Sequence, residues 1–180
     1  SLALPAITAQ VVNVLYNMVD RMYIGHMEGT GKLALTGMGV CMPLILVISA
    51  FAALVSMGSA SRASIALGKG DINTAERTLG NSTTLLTIIA ITLTAIMLAF
   101  AEPLLMAFGA SENTIGYALD YMRIYALGTL FVQLTLGLNA FITAQGFSRE
   151  SMLTVVIGAV INIALDPLFI FTFGMGVKGA

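Results

Sequence analysis

The charged positions of the chain fall in clusters, and the stretches between them are long. Ser1–Val19 is uncharged over 19 residues, Leu33–Ser61 over 29, Thr78–Ala101 over 24 and Ile124–Ser148 over 25. Ser151–Val177 holds a single charge, Asp166, in 27 residues. A helix needs about 20 mainly apolar residues to cross the hydrocarbon core of a bilayer. The pattern therefore predicts five spanning helices, at about 2–25, 33–66, 74–101, 112–145 and 149–173. A barrel would show alternating segments of about ten residues, and none is visible. The expected fold is an all-α membrane protein, a polytopic helical bundle. The connectors read as turns. His26–Lys32 joins spans 1 and 2, and Gly68–Asp71 joins spans 2 and 3, where Asn73 and Glu76 have capping-box spacing. Ser111 is placed to cap span 4 and Ser148 span 5.

Composition narrows the class. Apolar residues make up 58% of the 180, and only 9% are charged, against about 25% in a soluble domain. The mean hydropathy is +0.95. Disorder and a water-soluble fold are excluded, because too little polar surface exists to cover the apolar mass. A net charge of −1 provides no field to neutralise phosphates, so no nucleic-acid partner is expected. One Cys (Cys41) and one His (His26) exclude a disulfide framework and a Cys/His metal site. Cys41 is expected to be buried and inert, and His26 a solvated loop residue. Ser1–Val19 is not a signal peptide, since it lacks a basic leader segment and contains Pro5, Gln10 and Asn13. Orientation is a near tie. Arg62, Lys69, Arg77 and Arg149 flank one side, and Arg21, Lys32, Arg123 and Lys178 the other. Setting aside Arg21, which adjoins Asp20, tips the balance towards a cytoplasmic amino terminus.

The chain opens without Met and stops at Lys178-Gly179-Ala180 with no polar tail. Five spans is an odd number for transporters built from paired repeats, and no internal repeat is evident. A longer protein is expected, with any partner repeat beyond Ala180.

Polar residues within the spans carry the candidate chemistry. In span 1, Tyr16, Asn17 and Asp20 share an arc with Asn13 at about 100° per residue. A carboxylate at membrane depth costs a few kcal/mol and is usually functional or paired. Asp20 is thus either a ligand or a boundary residue paired with Arg21, a neighbour that points in another direction. In span 5, Asn162 and Asp166 are four apart and lie on one face, and Pro167 removes the N–H that the Ile163 carbonyl would accept. An amide oxygen, a carboxylate and a freed carbonyl would sit together. Such a hard-oxygen group suits Na⁺ or a proton on the carboxylate. The competing reading is a proline kink beside a locally satisfied acid. In span 4, Tyr121, Tyr125, Thr129, Thr135, Asn139 and Thr143 form a stripe with Gln133 at its edge. The stripe either lines a wet cavity or bonds neighbouring helices, with the functional weight on Asn139 and, less, Gln133. Arg123 sits opposite, near the start of the span, where it can snorkel.

Other features speak of packing. Ser56, Ala60 and Ser64 recur every four positions as a small-residue face. Pro43 is expected to kink span 2. The Met residues, 11 in all and including Met38, Met42 and Met57, serve as core filler or lipid-facing surface, or as an adaptable wall for varied ligands. No metalloprotease, serine-hydrolase, nucleotide-binding or paired-cysteine motif is present, and no enzyme is expected.

Three strings resemble a known family. Leu4-Pro5-Ala6, Leu15-Tyr16-Asn17-Met18-Val19-Asp20 and Ile24-Gly25-His26 are similar to the first helix of the multidrug and toxic compound extrusion (MATE) transporters. Phe108-Gly109-Ala110-Ser111 with Tyr117 and Tyr121-Met122-Arg123-Ile124 resembles their fourth-helix entry. Gly158, Asn162 and Asp166-Pro167-Leu168-Phe169-Ile170-Phe171, followed by Gly174–Ala180, resembles the end of their fifth. The wording is closest to the bacterial drug-export branch. The resemblance implies two six-helix lobes with alternating access, this chain being the amino-terminal lobe without helix 6. The carboxy-terminal lobe, the lipid bilayer and small-molecule drugs or toxic organic compounds would be its partners. It implies a multi-pass protein of the cell inner membrane with a cytoplasmic amino terminus. It also implies a cation site at Asp20, Asn162 and Asp166, with Asn139 as a further member, and a cavity lined by Tyr16, Asn17, Tyr125 and Gln133. The expected function is Na⁺- or H⁺-coupled antiport of amphipathic, often cationic, compounds, with no cofactor besides the coupling ion. A lipid-linked oligosaccharide flippase of the same architecture is an alternative, ranked lower because a pyrophosphate cargo calls for a basic cavity. A non-transporting structural subunit is another.

Overall fold

The computed structural model describes residues 3–27 and 29–179. Five helices follow one another: α1 (Ala3–Gly25), α2 (Gly31–Gly68), α3 (Ile72–Ala107), α4 (Ile115–Ala144) and α5 (Ser148–Pro167). A π-helical turn, Leu168–Thr172, and a 3₁₀ turn, Gly176–Gly179, close the described chain. No strand occurs among the described residues. Four helical segments are long and apolar enough to cross a membrane: α2, α3, α4 and α5 with its π turn. The 23 residues of α1 are long enough, at about 1.5 Å each. Its apolar content falls short because Gln10, Asn13, Asn17 and Asp20 interrupt it.

The helices sort by contact into a trio and a pair. α2, α3 and α4 pack tightly on one another, and α1 packs on α5. The trio buries Cys41, Leu44, Ile48, Leu93, Met97, Leu105 and Met122 in one cluster. Ile24, Ala34, Met38, Ile170 and Val177 form a second, where α1 and the closing turns meet α2. Outside these clusters the surface is apolar. Leu54, Met57 and Phe131 are each more than 70% exposed, an arrangement that water penalises and lipid does not.

Helix ends follow local chemistry. Asp71 occupies the cap of α3, and its carboxylate accepts from the Thr74 N–H at 3.0 Å and the Thr74 hydroxyl at 2.6 Å. This replaces the expected Asn73/Glu76 box, because a carboxylate three positions before a threonine satisfies both donors at once. Ser111 does not cap α4. Its N–H donates to Thr114 Oγ1 at 2.9 Å, and the turn delays the helix to Ile115. Ser148 is the first residue of α5 rather than its cap. α2, α3 and α4 end alike. After α3, Gly109 at φ 101° donates to Met106 O while Ala110 donates to Leu105 O, and Gly70 and Gly146 repeat the pattern.

The prolines act differently from expectation. α2 runs unbroken through Pro43. The break lies in α3 at Phe100 (φ −120°, ψ 19°), just before Pro103, and the helix continues to Ala107 rather than stopping near 101. At Pro167 α5 first tightens, the Leu168 N–H reaching Leu165 O, and then widens into the π turn, where the Phe173 N–H closes on Leu168 O at 2.9 Å. The small-residue face also drifts. Ser56 and Ala60 are buried but Ser64 is exposed, and Ala63 takes its place. A step of four advances the helix by about 400°, so a strict four-residue row winds off the contact.

α2 and the start of α4 approach closely at Gly37. A Cβ there would meet Thr114 O at 3.0 Å and Ala118 N at 3.1 Å, both backbone atoms. Gly37→Leu should therefore lower stability by about 1–3 kcal/mol, read as a fall in the thermal midpoint in detergent. A second expectation concerns Asp71, whose carboxyl is held below the usual carboxylate range by the Thr74 hydroxyl and N–H, with Arg77 adding. Because the folded value is depressed, the stabilisation is present above about pH 4 and lost as pH falls through the folded value. Asp71→Ala should melt below the parent at neutral pH, and the gap should close on acidification.

Candidate functional site

Asp20 stands near the end of α1, and Asn162 and Asp166 stand one turn apart near the end of α5. The packing of α1 on α5 brings them into one cluster. Asn162 Nδ2 donates to Asp166 Oδ1 at 3.0 Å, so the expected shared face is real. Asp166 is 2% exposed, and Asp20 lies within Coulombic reach of it. Three side-chain oxygens here are buried with no hydrogen-bond partner: Asp20 Oδ1, Asn162 Oδ1 and Asp166 Oδ2. The amide explains part of this. With its N–H engaged by Asp166, its oxygen is left free for something else.

The alternative for Asp20, a pair with Arg21, is not formed. The only salt bridge among the described residues is Lys178–Asp120, at 3.3 Å between the closing turn and α4. Arg21 points its guanidinium towards Met42 Sδ, at 3.4 Å. The alternative for Asp166, local satisfaction, holds for one oxygen only.

Aromatic hydroxyls border the cluster. Tyr121 is within Coulombic reach of Asp20 and Tyr16, and Tyr125 of Tyr16. The Tyr121 and Tyr125 rings stack at 6.1 Å and 24°. Tyr121 belongs to the polar stripe of α4 but was not singled out as a site residue. Its spacing of four from Tyr125, facing an acid on another helix, is the signal that marks it. Asn17 donates to Asn13 O at 2.8 Å, and both line an open depression of ≈ 400 Å³ with Met18 and Arg21.

Two expected members lie elsewhere. Gln133 is fully buried, and its Nε2 donates to Ile48 O at 2.6 Å. It ties α4 to α2 and lines none of the described cavities. Its Oε1 is the fourth buried oxygen without a partner. Asn139 accepts from the Thr154 hydroxyl at 3.4 Å, and Thr143 beside it donates to Ser151 Oγ at 2.9 Å. This register places Asn139 level with Thr154, which precedes Asp166 by about 18 Å of helix. Antiparallel packing of α4 and α5 carries Asn139 to the opposite end from the acids. The stripe thus divides: its tyrosines approach the acids, while Gln133, Asn139 and Thr143 join helices.

Among the described residues no group of three or more His, Cys, Asp or Glu gathers. The donor set is two carboxylates and an amide, all oxygen. It fits a hard monovalent cation or a proton and offers no soft ligand.

The MatE family model matches residues 5–168. The chain belongs to the MatE family. That family consists of transporters, not enzymes. Among curated proteins, the chain is similar to the multidrug export protein MepA of Staphylococcus haemolyticus (strain JCSC1435), 28% identical over 178 residues, covering 99% of this chain and 39% of the relative. It is similar to the FAD transporter of Shewanella oneidensis, 27% identical over 174 residues, covering 97% and 38%. Among solved structures, it superposes on a crystal structure of MATE in the bent conformation with a TM-score of 0.90 at 30% identity, covering 99% of this chain and 39% of that one. The chain therefore spans about two fifths of the length of the MatE relatives it matches. It is a multi-pass membrane protein.

The geometry separates the candidates by experiment. If a cation binds at the acids, Asn139→Ala should leave its thermal stabilisation unchanged, because the residue sits far along the bundle from Asp166. Asn162→Ala should reduce it severely, since it removes both an orphan oxygen and the bond that orients Asp166. Equal effects of the two would refute this division.

Proposed function

We propose that this chain supplies the cation-binding half of a Na⁺- or H⁺-coupled antiporter that expels amphipathic, often cationic, organic compounds. The observation that carries the reading is the trio of buried, unpartnered oxygens on Asp20, Asn162 and Asp166. A buried polar atom without a partner costs about 1–3 kcal/mol, and two facing acids add mutual repulsion when both are ionised. A bound Na⁺ or proton removes both penalties. Cation binding and its release thus have different free energies in a closed and an open arrangement of the helices, which is what couples an ion gradient to a conformational cycle. The Asp166–Asn162 bond fixes the ligands in place, and Tyr121, stacked on Tyr125, borders the cluster from α4.

The relatives carry different cargo names, multidrug export in one and FAD in another. That breadth supports assigning this chain a cargo class rather than a compound, with the apolar, methionine-bearing faces of α1 and α2 offering adaptable contact. We assign the amino terminus to the cytoplasmic side of the cell membrane. This puts Arg62, Lys69, Arg77 and Arg149 inside, and the near-even charge count leans this way once Arg21 is set aside.

The test uses the protein at its natural length in sealed vesicles, with Na⁺ and pH gradients imposed separately. Efflux of a fluorescent organic cation should follow one of the two gradients. Asp166→Asn should reduce gradient-driven efflux to the level of empty vesicles while the protein still folds. Full efflux by that variant would overturn the role of Asp166, and efflux indifferent to both gradients would overturn the coupling.

A further inference from the structure

A cleft of ≈ 710 Å³ lies between α2 and α3, at the end of the bundle remote from the acids. Its deep part is walled by Phe51 and Leu54 of α2 and by Leu85 and Ile89 of α3. Its shallow part, towards the Gly68–Asp71 connector, carries Ser59, Arg62, Arg77, Thr78 and Asn81. The two helices run antiparallel, so the polar turns of one face the polar turns of the other, and the apolar turns do the same. Arg62 lies six residues before the end of α2, and Arg77 five after the start of α3. At about 1.5 Å per residue both are about 8–9 Å from the helix ends, at one level.

The charge is one-sided. No acid lines the cleft; Glu76 lines a separate small cavity beside α4. Neither arginine makes a salt bridge among the described residues. Asp71 lies within Coulombic reach of Arg77, but its carboxylate is bonded to Thr74. At 38 and 36 residues, α2 and α3 exceed the roughly 30 Å hydrocarbon thickness, which puts their joined ends, with the arginines, in the headgroup layer. The apolar walls then lie at acyl depth, and Leu54 and Leu85 are exposed there.

We propose that this cleft binds an anionic phospholipid of the surrounding leaflet. Its phosphate sits between Arg62 and Arg77, with Asn81 as a further donor, and one acyl chain lies along Phe51, Leu54, Leu85 and Ile89. The guanidinium forks suit phosphate oxygens, and the change from polar to apolar along the cleft matches the length axis of a lipid rather than that of a free ion. The site is independent of the cation cluster and of the transport reading.

The experiment is a thermal melt of the protein at its natural length in neutral-detergent micelles, with added phosphatidylglycerol, phosphatidylcholine or inorganic phosphate. Phosphatidylglycerol should raise Tm by several degrees, as a ligand bound only by the folded state does. The effect should shrink with added salt, and the other two additives should give none. The double variant Arg62→Gln, Arg77→Gln should melt like the parent without lipid and lose the phosphatidylglycerol shift. The double lysine variant should keep part of it. Equal responses to both lipids, a full response to inorganic phosphate, or a glutamine variant that still responds would each overturn the proposal. If the glutamine variant fails to fold, a photoreactive residue at position 54 decides the matter in membranes. Labelling of lipid supports the site, and cross-linking to another protein segment overturns it.

Discussion

Hydrocarbon offers no hydrogen bonds, so each polar atom of this chain must find its partner within the protein. Most do so in the simplest way. The hydroxyls of Thr78, Ser82, Thr83, Thr84, Thr87 and Thr92 along α3 each return to the carbonyl four residues back. A few reach across. Thr94 donates to Ala126 O, Cys41 to Ala118 O and Gln133 to Ile48 O, and these bonds tie the trio together. Against that background the unsatisfied oxygens of Asp20, Asn162 and Asp166 stand out, because they lie together and on two helices rather than being scattered. A fold that satisfies its hydroxyls so consistently gathers this exception at one place, between α1 and α5.

The five helices were legible because charge is expensive in lipid, and the gaps between charges measure the spans directly. The pairing of Asn162 with Asp166 was legible for a similar reason: it depends only on helical spacing within one element. What the sequence does not carry is whatever depends on neighbours. The role of Gln133 is set by Ile48, 85 residues away, and that of Asn139 by the antiparallel offset of α4 and α5. No periodicity within α4 distinguishes a side chain facing a cavity from one facing a helix. The prolines show the same limit. Pro43 and Pro103 are alike in sequence, yet only α3 leaves helical geometry nearby, at Phe100, where the backbone around it lets the helix break.

The family assignment sharpens the meaning of length. The described helices superpose on a MATE structure at a TM-score of 0.90 while accounting for 39% of that chain. The geometry reported for the acids is thus internal to this stretch of the polypeptide, formed by α1 and α5 with α4 at its edge. Nothing beyond it is needed to bring Asp20 to Asp166.

The division of the bundle into α2–α4 on one side and α1 with α5 on the other has a mechanical consequence. Side chains interlock densely inside each group and sparsely across the seam, where α1 meets α2 and α4 meets α5. Sliding the two-helix group against the three-helix group breaks few contacts, whereas distorting either group breaks many. The acids ride on the smaller group and Tyr121 and Tyr125 on the larger, so any such slip changes the distance between carboxylates and phenols, and the elements it must work against are the Ile24–Val177 cluster and the Lys178–Asp120 pair. Stiffness inside each block and compliance between them are the properties of a hinge-plate, with the paired acids placed along the joint.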